Sequence, residues 1–310
     1  TTSLDLDMQQ QAQQIVTDEI AKVEKVSHIT NGAVVAVDAK TGDVKVWAEY
    51  PSFSENEYDL IRQTERHTGS AFKPFFLATW LEHGGRLTLE DEGVGPAMLA
   101  DIHGISVGMG RGRKRKFLQN FPYIGQPRYR GMIPVILAIA ESRNVAIMSG
   151  VVGVRGSSAS MQITKNAMLD TAERLGIPPP AYDPGLTLPI GSIDVSIYNM
   201  TRAWTGFLGS FVEPRLATSA SVPRLRSAYD VSLPPPRPVL DPEVSSQVVR
   251  GMRAVVEFEH GTAKSLIQKY LPGVQAMGKT GTATGWDGET TDNWFMGCTP
   301  SYCAGVWIGR

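Results

Sequence analysis

The segment from Gly69 to Gly85 limits the fold more than any other stretch of this 310-residue chain. Gly69-Ser70-Ala71-Phe72-Lys73-Pro74 runs into Phe75, Phe76, Leu77, Trp80 and Leu81, and Gly84-Gly85 stops the pattern. A helix that is apolar nearly all round belongs inside a protein. The spacing therefore predicts a buried central helix around which other elements must wrap. Residues three apart share a helix face, which sets Ser70 and Lys73 side by side at its start. A lysine in such a place is costly as a cation unless it is paired or loses its proton. A neutral amine beside a serine hydroxyl is a base beside a nucleophile. The plainer reading is an N-cap serine and a lysine whose head reaches water. Taken alone, the S-x-x-K spacing favours that plainer reading.

Composition narrows the alternatives. The formal net charge is −1, so no global field points to nucleic acid or to an acidic membrane surface. The one dense charge run, Arg111 to Lys116, reads as a solvated loop in preference to a polyanion or lipid contact. No apolar run reaches the ~18 residues that a membrane span needs, and no signal peptide is visible. The chain opens on Thr1 rather than Met, so an anchor upstream of it is not excluded. Histidines 28, 67, 83, 103 and 260 form no H-E-x-x-H or other metal spacing. Cys298 and Cys303, with no His or Asp nearby, make a poor zinc site. A metal-free, cofactor-free protein is expected. If Thr299 to Tyr302 is a hairpin loop, the two cysteines face each other. A disulfide and a reduced pair both remain open, and the compartment decides between them.

Along the chain, residues 1–27 hold a Gln-rich helix with Ala12, Ile15, Val16, Ile20 and Val23 at helical spacing. Residues 32–48 read as two β-rich runs around a Thr41-Gly42 turn. Residues 51–65 read as a polar loop, and 86–130 as irregular loops with short strands. A buried apolar run at 132–140 breaks at Glu141-Ser142-Arg143-Asn144 and resumes at 145–148. Further helices are expected at 165–176, at 194–208 with Asp194 as cap, and at 243–257 after a proline-rich connector at 223–242. Strands close the chain at 276–284, 292–298 and 304–309. A hairpin first, helices in the middle and strands last is α+β logic: one antiparallel sheet built from both chain ends and covered by helices.

Three short motifs recur in one order: Ser70-Ala71-Phe72-Lys73, Ser142-Arg143-Asn144 and Lys279-Thr280-Gly281-Thr282. Each is cheap singly. Lys40-Thr41-Gly42 and Ser54-Glu55-Asn56 are decoys, placed before the S-x-x-K in a turn and a polar loop. The context of the main set is more telling. Ser142 to Asn144 interrupts two apolar runs, where a buried polar loop must find partners. Lys279 to Thr282 lies in a strand, with Gly281 expected to allow close approach by a ligand. Together they supply a nucleophile, two candidate proton carriers and a cationic strand for a carboxylate. No G-x-S-x-G elbow competes for the serine role.

This set resembles the active-serine motifs of the penicillin-binding proteins. The likeness is greatest to the transpeptidase domain of the class A, bifunctional members, and it spans nearly the whole chain. It includes Thr1 to Asp5, Val37 to Gly42, Pro189 to Ser196, Gly261-Thr262-Ala263 and Asp292 to Gly297. The resemblance implies an N-terminal linker and helix over 1–28 and a transpeptidase domain over 29–310, with a further C-terminal helix beyond Arg310. It places Ser70 at the base of a cleft between the Lys279 strand and an all-helical subdomain carrying Ser142.

The implied activity is D,D-transpeptidation of peptidoglycan stem peptides. Ser70 attacks the D-Ala–D-Ala carbonyl, Lys73 is its base, and Ser142 relays the proton. Asn144, Lys279, Thr280, Gly281, Thr282 and Thr284 hold the substrate, and the Ser70 and Thr282 N–H groups form an oxyanion hole. A diamino-acid acceptor completes the cross-link, and β-lactams acylate Ser70. An upstream glycosyltransferase domain and membrane anchor, and an extracytoplasmic location, follow from the same likeness. Arg143 departs from the leucine often found there, which suggests an extra cation in the cleft. A β-lactamase or D,D-carboxypeptidase is the second reading, although no E-x-x-L-N follows Asn144 before Lys279. A silent β-lactam sensor or scaffold is the third.

Overall fold

The computed structural model of the chain describes residues 2–310 except 94, 108–115, 122–126, 153–157, 210–237 and 286. In chain order it forms α1 (Leu6–Val23), β1 (Asn31–Asp38), β2 (Val44–Tyr50), α2 (Phe53–Asn56), α3 (Leu60–Gln63) and β3 (Arg66–His67). A 3₁₀ turn, Gly69–Phe72, leads into α4 (Lys73–Glu82). Then come β4 (Met98–Asp101), β5 (Ile105–Val107), β6 (Lys116–Leu118), β7 (Gly131–Pro134), α5 (Val135–Ala140), α6 (Asn144–Val152) and α7 (Ser158–Arg174). The last third holds β8 (Asp194–Val195), α8 (Ile197–Gly206), α9 (Pro242–Glu257), α10 (Lys264–Tyr270), β9 (Met277–Thr284), β10 (Thr290–Cys298) and β11 (Tyr302–Gly309).

The main sheet has five strands in the order β2-β1-β11-β10-β9. All its pairings are antiparallel, and Val34 of β1 lies against Val306 of β11, so the two ends of the chain do meet in its centre. This is the expected α+β architecture. The central helix α4 is buried along its length, with Phe75, Leu77 and Ala78 fully inside and Phe76 nearly so. Against it pack α7 and α9, while α8 covers β1, β10 and β11.

The outer face of the sheet is covered by α1 through Val16 and Ile20. The Gln-rich composition of this helix now has a physical reason. β2 is an edge strand, whose free backbone groups need partners. Gln9 supplies both: its Nε2 donates to Trp47 O (2.8 Å) and its Oε1 accepts from Trp47 N (2.7 Å). Gln13 Nε2 donates to Glu49 O at 2.8 Å. Two glutamines thus imitate a sixth strand.

Several expectations need correcting. Residues 51–65 are not a simple loop, because their polar side chains are helix caps. Ser52 and Glu55 form a capping box on α2, and Asp59 accepts from Ile61 N and Arg62 N at the start of α3. The helix expected from 194 begins later. Asp194 pairs with His67 in a two-residue strand, and Ser196 caps α8 instead. Helix α10, with no fully buried residue, carries little apolar periodicity for a sequence reading to find. Cys298 and Cys303 form a disulfide across the closing pair of the β10–β11 turn. The run 111–115 and most of the proline-rich connector lie outside the described residues.

Candidate active site

The site is assembled around the turn that carries Ser70. Thr68 ties this turn to the loop before α8: its N–H donates to Ile193 O (3.0 Å) and its Oγ1 lies 3.2 Å from Gly191 O. Gly69 N–H donates to Gly191 O at 3.1 Å. On the other side the turn abuts the free edge of β9. A Cβ on Gly69, whose φ is +49°, would sit 2.3 Å from Thr282 O. A Cβ on Gly281 would sit 2.6 Å from Thr68 O and 2.8 Å from Ala71 Cβ. The close approach expected at Gly281 is made by the chain's own turn around Ser70. Ser70 is wedged between two walls that leave no room for a side chain at either glycine.

A second anchor lies just upstream. Asp292 is 3 % exposed and accepts from Arg66 Nε (2.7 Å), Trp307 Nε1 (3.0 Å) and Thr291 Oγ1 (2.7 Å). The Arg66 guanidinium also sits 5.1 Å from the Trp307 ring centroid. Trp294 Nε1 donates to His67 O at 3.0 Å. These contacts fix β3, and hence the entry to the Ser70 turn, onto β10 and β11.

Residues i and i+3 of a 3₁₀ turn eclipse one another. The turn thus stacks Lys73, the first residue of α4, over Ser70. Ser70 is half-buried, whereas Lys73 and Lys279 are wholly buried. Lys73 Nζ lies 2.8 Å from Ser142 O, 3.0 Å from Ser142 Oγ and 2.7 Å from Asn144 Oδ1. Lys279 Nζ reaches the same Ser142 Oγ at 3.0 Å, and Thr280 O at 3.1 Å. Two lysines therefore converge on one hydroxyl, and among the described residues no carboxylate is bonded to either. Burial, and then the charge of Lys279, pull Lys73 well below the ordinary lysine range. Burial alone takes Lys279 down to about 7. Burial thus favours the neutral amine at both positions, and Lys73 carries the added repulsion of Lys279.

A neutral Lys73 has two N–H groups and one lone pair. Ser142 O and Asn144 Oδ1 can only accept, so they take the two N–H groups. The lone pair then faces the Ser142 hydroxyl proton. Ser142 Oγ in turn accepts from Lys279. The three groups are wired as a proton relay.

Burying these amines has a measurable consequence for stability. Lys279 titrates near 7 when folded and near ~10.4 when unfolded. Between those values the unfolded chain holds a proton that the folded chain has lost, so stability rises with pH across that window. Urea unfolding from pH 7 to 10 is expected to show this rise. Lys279→Met is expected to flatten it by about 1.4 kcal/mol per pH unit.

Ser142 adopts φ +55°, the left-handed region that non-glycine residues rarely enter. Its neighbours turn the opposite way, away from the lysines. Arg143 is 1 % exposed, and its Nε donates to Glu141 Oε2 at 2.9 Å. Its Nη1 donates to Pro127 O and Arg128 O. The expected extra cation in the cleft is therefore absent, because Arg143 is consumed in a buried ionic cluster behind the turn. On β9, Thr282 and Thr284 are exposed, and Thr280 is half-buried with its Oγ1 2.9 Å from Thr262 Oγ1. Thr262 is a supporting contact that motif spacing does not reveal. The decoy Lys40-Thr41-Gly42 forms the β1–β2 turn, and Ser54-Glu55-Asn56 falls in α2.

The structure thus brings Ser70, Lys73, Ser142, Asn144 and Lys279 together from three elements far apart in sequence, and lines the adjoining strand with three threonines. Residues 163–308 match the family described as penicillin binding protein transpeptidase domain. Penicillin-binding protein 1B of Vibrio cholerae is 25% identical over 316 residues, covering 100% of this chain and 36% of that protein. Penicillin-binding protein 1A of Neisseria lactamica is 24% identical over 289 residues, covering 91% of this chain and 32% of that protein. The chain thus spans about a third of the length of these curated relatives. PonA1 from Mycobacterium tuberculosis, solved in complex with penicillin V, superposes with a TM-score of 0.70 at 20% identity, covering 100% of this chain and 76% of that one. The family match begins after Ser70 and Ser142, but the alignments to the relatives and the shared fold extend across that half. The chain is thus similar to the transpeptidase domains of penicillin-binding proteins: over 163–308 by the family match, and over its whole length by the alignment to the Vibrio cholerae protein.

Proposed function

We propose that this chain is a serine D,D-transpeptidase that cross-links peptidoglycan stem peptides through an acyl-enzyme on Ser70. One observation carries the reading: a wholly buried Lys73, three residues on from a half-buried serine at the start of α4, is bonded through Ser142 to a second buried lysine. Ser70 Oγ attacks the carbonyl of the penultimate D-Ala, and its proton passes to the Lys73 lone pair as the Ser142 hydroxyl turns its own proton away from that lone pair. The Ser70 and Thr282 N–H groups face the developing oxyanion. The C–N bond to the terminal D-Ala then breaks, and the proton passes from Lys73 through Ser142 to the departing amine. The acceptor amine attacks the resulting ester and releases Ser70.

Asn144 spends its Oδ1 on Lys73, which leaves its Nδ2 to donate to a backbone carbonyl of the donor peptide. The terminal carboxylate meets the exposed Thr282 and Thr284 hydroxyls, the Thr280 strand and the charge of Lys279. Gly281 contributes by letting β9 close on the turn. β-Lactams, as mimics of the dipeptide, acylate the same serine. The disulfide fits an oxidising, extracytoplasmic site of action. No helix among the described residues is long and apolar enough to cross a membrane. We place the anchor, and a glycosyltransferase domain, in other parts of the protein, with residues 29–310 as the transpeptidase unit.

A donor pentapeptide ending in D-Ala–D-Ala, offered with a stem-peptide amine, tests this. Cross-linked dimer that rises with acceptor concentration is the expected product. Release of D-Ala with tetrapeptide alone would mean a carboxypeptidase, and no release would mean a silent binding domain.

A further inference from the structure

Ser142 is a non-glycine residue in a left-handed conformation at the point where both lysines converge. Such a conformation costs on the order of 1–3 kcal/mol and persists only where the surroundings over-determine it. Part of that restraint is the backbone cap of α5, in which Ser142 N–H donates to Ile139 O (3.1 Å) and Arg143 N–H to Ala138 O (2.8 Å), and part is the pair of lysines on Ser142 Oγ. The two flanking side chains add a further restraint from behind the turn. Glu141 is 2 % exposed and Arg143 1 %, and their side chains pair with each other behind the turn. Arg130 Nη1 donates to the other Glu141 oxygen. Asp101, fully buried, lies 3.7 Å from Arg143 Nη1 and accepts from Arg130 N–H and Asn120 Nδ2. Asn120 Oδ1 accepts from Val145 N at 3.0 Å, one residue beyond Asn144. Both sides of the Ser142–Asn144 arch are thus pinned to β4 and to the chain leading into β7.

We propose that the buried Glu141–Arg143 pair is a positioning device: it clamps the left-handed turn at Ser142 and so sets the hydroxyl that Lys73 and Lys279 share. This rests on the active-serine reading above and assigns a role to two residues that never touch substrate. A buried ion pair is by itself weak support for stability, and replacing both partners by apolar residues is often neutral. That property separates positioning from plain folding. In Glu141→Leu/Arg143→Leu the two charges of the pair go together; Asp101 loses its nearest cation but keeps the bonds from Asn120 Nδ2 and the Arg130 N–H.

The double variant is expected to melt near the parent. Its acylation rate constant by benzylpenicillin is expected to fall about 100-fold, the scale of a small misplacement of a catalytic group, with the pre-acylation dissociation constant unchanged. A double variant that melts and acylates like the parent would overturn the proposal. So would one in which the dissociation constant alone changes. If the double variant does not fold, Arg143→Lys serves instead. It keeps a cation for Glu141 but loses the paired donors to Pro127 O and Arg128 O. A rate below the parent at an unchanged melting temperature supports the clamp, and an unchanged rate overturns it. A parent protein that forms no Ser70 adduct would defeat the active-serine reading. The clamp would then be judged from a crystal structure of whichever variant folds. Ser142 leaving positive φ, or its Oγ leaving reach of the lysines, sustains it; an unmoved turn overturns it.

Discussion

Lys73→Met is expected to slow acylation of Ser70 by benzylpenicillin by about 10²–10⁴-fold, the usual contribution of a positioned base. Methionine fills the buried space but its thioether is not basic, so the Ser70 proton has no base to take it. The same wiring predicts a pH dependence. In the parent, acylation declines at acid pH, as Lys73 takes up a proton below its depressed titration point. Above about 7 the Lys279 cation that draws the carboxylate is lost, so the second-order acylation constant, which reports the free protein, declines on that side too. Stopped-flow acylation across pH 5 to 10 checks both limbs. In Lys279→Met the alkaline limb is expected to vanish while the acid limb remains. An alkaline limb that survives there would assign it to another group.

Gly69→Ala is expected to be nearly as damaging, by a different route. Alanine at positive φ costs roughly 1–2 kcal/mol. More important, its Cβ would lie 2.3 Å from Thr282 O, a backbone atom of β9 that cannot swing aside. The turn must retreat from the strand, and the oxyanion pocket between the Ser70 and Thr282 N–H groups opens. A displacement of that size is expected to cost about 100-fold in acylation. Gly273→Ala is the matching control: its φ is +77° and nothing lies within 4 Å of the new Cβ. It carries the same conformational strain, and it should melt slightly lower while acylating at the parental rate. Equal acylation losses in the two variants would show that strain, rather than the close approach of β9, governs the site.

Much of this architecture is legible in the sequence because it follows local periodicity. The all-round apolar run after Lys73 could only be a buried helix, and the alternating runs at both ends could only pair with each other. Motif order then placed Ser70, Lys73, Ser142, Asn144 and Lys279 in one site. What escaped reading is side-chain direction and partners distant in sequence. Arg143 lies between two cleft residues, yet the left-handed Ser142 turns it inward, and no spacing rule reports that. Gly281 was legible as a close approach, but not that Thr68 and Ala71 make it. The Arg66–Asp292 pair joins residues 226 apart and becomes visible only when β3 is laid beside β10. Helix α10 has no fully buried residue and sets only Ile267 against the core, so it offers little periodicity to detect.

The decisive measurement is the intact mass of the protein incubated with benzylpenicillin over hours, beside Ser70→Ala. One persistent adduct on the parent and none on the variant is the expected result, with Ser70 as the nucleophile and slow release of the acyl group. An adduct of equal yield on Ser70→Ala, or none on a folded parent, would contradict the mechanism. An adduct that forms and vanishes as penicillin is consumed would make the protein a β-lactamase.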